Sequence, residues 1–131
     1  MGVTVHWDND HQTVIRYDFT GHWTWDDFQA AIHTAVALRQ SADTTVDVIH
    51  NLENTPNIPE GALSWLLKLR ERSPKRGAVV FAAGRFFGYY KNLVAIFNQI
   101  SKGSTAPVIV VQTLAEARAV VEKLRPLQEV T

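Results

Sequence analysis

Five histidines, thirteen carboxylates and no cysteine set the chemistry open to this 131-residue chain. Without a thiol there is no disulfide framework, thiolate zinc site, iron–sulfur ligation, redox dithiol or cysteine nucleophile. His6, His11, His22 and His33 show no His-x-x-x-His or Glu-x-x-His spacing that would place two ligands on one helical face, so no metal site and no cofactor is expected. His50, read as the end of a strand, is the best general-base candidate, because an imidazole there can sit in a cleft and titrate near neutrality. It has no nucleophile or carboxylate partner at a recognisable spacing, and the expectation is a binding protein rather than an enzyme. Gly84 and Gly88 flank Arg85-Phe86-Phe87 in a turn that suits one anion at most. A phosphate loop would need more glycine and a Lys-Ser/Thr ending.

The elements that must position these residues follow from period and punctuation. Val3 to Trp7 alternates as a half-exposed strand, Asn9-Asp10 turns, and Thr13 to Thr20 returns as its hairpin partner. Thr24-Trp-Asp-Asp27 fits a capping box for a helix reaching about Arg39. Thr45 to Ile49 is a β-branched run that suits a buried parallel strand. Asn57-Ile-Pro-Glu60 caps a second helix, with Pro59 in its first turn, that must stop before Pro74. Gly77 to Ala83 is a strand, Phe86 to Ile100 a helix, and Ala106 to Val111 the last strand. Thr113-Leu-Ala-Glu116 caps a final helix ending near Leu124.

The predicted fold is a single α/β domain over residues 1–131: a mixed, mostly parallel five-stranded sheet with about four helices, in the order β-β-α-β-α-β-α-β-α. In such sheets ligands sit beyond the carboxyl ends of the parallel strands. That rule nominates His50, Asn51 and Asn54, then Gly84 and Arg85, then Gln112 and Thr113.

Net charge is zero but unevenly spread. Residues 1–60 hold nine acids against Arg16 and Arg39, a balance of −7, and the remainder is +7. The densest basic run, Lys68 to Arg76, suits the last turn of its own helix, and no nucleic-acid partner is expected. No basic segment followed by an apolar run opens the chain, so a cytoplasmic setting is expected. The longest apolar stretch, Ala78 to Ala83, is far short of the ~20 residues a helical membrane span takes.

Aromatic residues crowd the third predicted helix. Phe86, Tyr90, Leu93, Phe97 and Ile100 form one stripe, with Phe87 and Val94 placed outside it. This excess predicts a second surface to cover, and a homodimer as the simplest cover. Trp7, Trp23 and Trp25 are expected to seal the hairpin against the first helix cap.

The element order resembles the STAS family, the anti-sigma-factor antagonists of bacteria and the cytoplasmic domains of anion transporters. The closest local matches are Val46-Asp-Val-Ile-His-Asn-Leu52 leading to Pro59-Glu-Gly-Ala-Leu63, and Val108 to Ala117. The resemblance implies a regulatory module that binds a protein partner near Asn54 to Gly61. In the family this helix start carries a phosphorylated hydroxyl; with Gly61 on the family's glycine, that position falls on Glu60, which no serine kinase can modify. Phospho-switching is then lost, and Glu60 either supplies a fixed charge or simply closes the Asn57 capping box. The architecture also resembles lipid-transfer domains of the CRAL-TRIO type, which implies a small-ligand carrier with a pocket under Phe86, Tyr89 and Tyr90.

Overall fold

The structure, a computed structural model, describes residues 2–42, 45–56, 61, 76–100 and 108–130. Its elements are β1 (Gly2–Trp7), β2 (Val14–Thr20), α1 (Trp25–Gln40), β3 (Val46–Asn54), β4 (Arg76–Ala82), a 3-10 turn (Gly84–Phe86), α2 (Phe87–Ile100), β5 (Val108–Val111) and α3 (Leu114–Val130). The five strands form one sheet in the order β1-β2-β3-β4-β5, with β1 antiparallel to β2 and every other pair parallel. The mostly parallel α/β sheet is therefore as the sequence reading has it, with three helices among the described residues. The helix expected from Asn57 to before Pro74 lies outside those residues except at Gly61, whose φ of +86° is not helical, and the basic run from Lys68 to Lys75 lies outside them too.

Local chemistry explains the boundaries. The Asn9 carboxamide oxygen accepts from Thr13 N at 3.0 Å and Val14 N at 3.2 Å, closing the β1–β2 turn. At α1 the Thr24 hydroxyl accepts from Asp27 N at 3.2 Å while the Asp27 carboxylate accepts from Thr24 N at 3.0 Å, the reciprocal box expected from the sequence. Thr113 and Glu116 repeat it at α3, with Glu116 N donating to Thr113 Oγ1 at 3.1 Å and Thr113 N to Glu116 Oε1 at 3.1 Å. α3 runs on to Val130, past the expected end near Leu124. Proline inside a helix costs an amide bond and bends the chain, and here Pro126 does not end it.

Two cores sandwich the sheet. On one face Tyr17, Phe19, Val48, Leu52, Val79 and Phe81 pack against Phe28, Ile32 and Ala35 of α1 and Tyr90, Leu93 and Phe97 of α2. On the other, Val14, Ile49, Val80 and Ala82 meet Ala117 and Val121 of α3. Each buried Val or Leu contributes roughly 1.5–3 kcal/mol of transfer free energy. Val94 belongs to the first core, which corrects its placement outside the α2 stripe: residues 90, 93, 94 and 97 are spaced as one helical face. Among the described residues, the large apolar side chains that α2 leaves exposed are Tyr89 and Ile96, at 48% and 47%. Trp23 packs on Phe19 and Trp25 beside the α1 cap, while Trp7, paired with Ile15 near the β1–β2 turn, packs against the same core.

Candidate functional site

β3 carries the first correction to the nominated site. It continues to Asn54, five residues beyond the expected end at Ile49, so His50 and Asn51 lie inside a strand and not in a loop after it. Successive strand side chains take opposite faces, and the two residues are separated by the sheet. His50 goes into the α1–α2 core, 4% exposed, stacked between Tyr17 (centroids 4.6 Å, 15°) and Phe81 (4.7 Å, 16°). These three side chains share one register level across β2, β3 and β4. Tyr90 extends the stack from α2, 5.4 Å from Phe81. Burial pushes the Tyr17 hydroxyl up to about 12, against the pull of the Arg39 guanidinium at the end of α1. Burial, and then the neighbouring Tyr89, raise Tyr90, and burial lowers Arg39. The His50 imidazole is thus enclosed by the rings of Tyr17, Phe81 and Phe28. Tyr90, nominated for a pocket, is a buried member of this core.

The carboxyl rim of the parallel strands is tied down by backbone and side chain. Glu53 Oε2 accepts from Leu114 N at 2.9 Å, putting a carboxylate on the amino end of α3, where its charge suits the helix dipole. Thr55 Oγ1 donates to Gly21 O at 2.8 Å and joins the ends of β2 and β3. Gly84 sits at φ +56°, and a Cβ there would lie 3.2 Å from Glu53 Cα, so both conformation and contact call for glycine. Most amides of this turn are already used within the chain. Gly84 N donates to Gln112 O, Phe86 N to Ala83 O and Phe87 N to Gly84 O, leaving Arg85 alone among the four successive amides for a ligand. The Arg85 guanidinium is exposed and stands over the Phe86 ring at 5.8 Å. Asn54 is exposed opposite Thr20, Phe86 half-buried, and Gly61 exposed at φ +86°; Glu60 lies outside the described residues.

A cluster that the sequence reading missed occupies the other face of β1 and β2, beside α3. Arg16 is its hub: Nε donates to Asp18 at 3.1 and 3.2 Å, Nη1 to Asp8, and Nη2 lies 2.6 Å from His6 Nε2, which is also 3.1 Å from Asp18 Oδ2. Asn51 Nδ2 donates to Asp18 Oδ1 at 3.0 Å, so the second nominated residue serves this network. Arg118 of α3 clamps Asp8 through Nε at 3.1 Å and Nη2 at 2.9 Å. Burial raises Asp8, but the bonds and charge of Arg118 and Arg16 outweigh it and hold the carboxyl below its ordinary range. Two guanidiniums balance two carboxylates, so the cluster fastens α3 to the hairpin. The alternation of His6 with Asp8 and of Arg16 with Asp18 was a signal for one polar strand face. Arg118, 110 residues from Asp8, gave none.

Among the described residues, no three His, Asp or Glu side chains are grouped to hold a metal ion, and no helix is long and apolar enough to cross a membrane. Set against known proteins, the chain matches no family model, no curated protein and no solved structure.

Proposed function

We propose that the chain is a non-catalytic regulatory or binding module of the STAS kind, engaging a protein partner at the rim formed by Asn54, Arg85, Phe86 and Tyr89, together with the sequence around Glu60 and Gly61. The observation that carries this reading is how the polar side chains are used. His50 is enclosed by Tyr17, Phe81 and Phe28, and the charged cluster around Arg16 is neutralised from within. What the rim offers is a fixed backbone, the exposed Arg85 guanidinium, the exposed carboxamides of Asn54 and Gln112 and the exposed Tyr89. Arg and Tyr so placed are typical anchors of protein interfaces. The resemblance to STAS domains puts the contact at the same rim, with Glu60 in place of the phosphorylatable serine.

The test is quantitative affinity enrichment from the native host with the wild-type chain, Arg85→Glu, Tyr89→Ala and, at the opposite end of the strands, His11→Glu. Partners retained by His11→Glu and lost with both rim variants support the reading. An identical set with all four chains, or none with any, contradicts it.

A further inference from the structure

Among the described residues β1 is an outermost strand of the sheet, and the phase of its pairing with β2 decides which backbone groups are left over. Asp8 N donates to Val14 O at 2.7 Å, and the register runs without a shift from Gly2↔Thr20 to Trp7↔Ile15. Hydrogen-bonded and non-hydrogen-bonded pairs alternate in an antiparallel ladder. Gly2, Thr4, His6 and Asp8 therefore turn their N–H and C=O groups to β2, while Val3, Val5 and Trp7 turn theirs outward. Three donors and three acceptors line the edge. Natural edge strands are usually blunted by a charge, a proline or a bulge. Gly2–Trp7 has no charged acidic, lysine or arginine residue and no proline, and its ladder has no bulge. The side chains of Val3, Val5 and Trp7 lie on the α1 face, packed against the core yet only half-buried.

We propose that a second copy of this chain pairs with β1 antiparallel, centred on Val5, so that two five-stranded sheets become one continuous sheet. This register satisfies all six outward groups: Val5 faces Val5 of the second copy, and each Val3 faces the other copy's Trp7. Shifting the centre to Val3 or Trp7 leaves outward groups unpaired. On the α1 face the result is one valine–valine and two valine–tryptophan contacts, the β-branched and aromatic pairs that stabilise antiparallel sheets. On the other face Thr4 lies opposite His6 of the second copy, twice, with no like charges opposed. Asp27 at the start of α1 lies beside Gly2 at the start of β1, so helix and strand begin together. This inference does not depend on the regulatory reading, and it moves self-association from α2 to the sheet edge.

The chain's lack of cysteine gives a direct test. Hydrogen-bonded antiparallel partners have Cα atoms about 5.5 Å apart, within the roughly 4.4–6.8 Å a disulfide spans. Val5→Cys should form a covalent dimer on mild oxidation, whereas Gln112→Cys, exposed after β5, should not. By light scattering the wild-type chain should weigh twice 14.7 kDa. Val5→Pro, which removes an outward N–H and spares the β2 ladder, should halve that mass. If Val5→Pro loses its circular dichroism, the Val5→Cys result decides. A monomeric wild type at the highest soluble concentration, or Val5→Cys cross-linking no faster than Gln112→Cys, overturns the proposal. So does a wild type that is monomeric alone and takes only a strand from an unrelated protein.

Discussion

Replacing Gly77 with alanine probes the most crowded point of the sheet. A Cβ at Gly77 would lie 2.2 Å from Asp47 Oδ1 and 3.1 Å from Val46 O. Asp47 is fully buried, and the same oxygen accepts from Ala78 N at 2.8 Å, within the register shift between β3 and β4. Gly77 does not have a left-handed φ, so its backbone would accept alanine and gain about 0.4–1 kcal/mol from a stiffer unfolded chain. The collision decides the sign. To admit the methyl group the carboxylate must swing away, and an orphaned buried amide costs about 1–3 kcal/mol, more when its partner is charged. Gly77→Ala should lose about 2–3 kcal/mol. Asp47→Ala, which orphans the same amide and leaves a void, should lose at least as much. In the double variant the methyl group enters the space vacated by the carboxylate, so the amide is lost only once. The total should stay near that of Asp47→Ala, a coupling of about 2 kcal/mol. Urea unfolding of all four proteins, with unchanged m values as the control for two-state behaviour, reads the cycle. Losses that add to within about 0.5 kcal/mol would mean the two positions do not compete, and the steric reasoning would be wrong.

Two further outcomes concern charge. Tyr17 keeps its proton to about 12 in the folded chain against 10.0 unfolded, so its contribution is fully present below pH 10 and disappears as pH rises through 12. The chain should lose about 2–3 kcal/mol across that window from this group alone, and Tyr17→Phe should flatten the loss; equal slopes would refute it. Asp8, held below its ordinary 3.8, stabilises above that pH and ceases to do so as pH falls through its lowered folded value. Arg118→Ala should cost about 1 kcal/mol at neutral pH, a figure kept small because half of the Arg118 side chain is in water. That difference should shrink once pH drops below 3.8. A constant difference in acid would show that Arg118 acts through packing instead.

The layout of strands and helix starts was legible because each rests on local chemistry. The Thr24–Asp27 and Thr113–Glu116 boxes need residues three apart, and the alternation of β1 and β2 needs neighbours two apart. The end of β3 was not legible. His50-Asn51 looks like the polar start of a loop, yet one side chain stacks on rings and the other finds Asp18, partners 33 positions or so away that make both tolerable in a strand. Gly77 likewise reads as the start of a strand, and only the Asp47 carboxylate beside it explains the missing side chain. Glu53 gave no sign of capping a helix 61 residues later. For the site, the rim was located by rule from strand order, but which nominated residues face solvent depended on the face each takes. Asn54 and Arg85 stay on the surface, while His50 and Tyr90 go to the core.

Whether that rim is where the protein works is tested most directly by placing a photo-cross-linking benzoylphenylalanine at Arg85 and, separately, at His11, then irradiating cells that express each chain. The rim account expects a discrete adduct with another protein from position 85 and none from position 11. Adducts from position 11 alone, or no adduct from either, would contradict it.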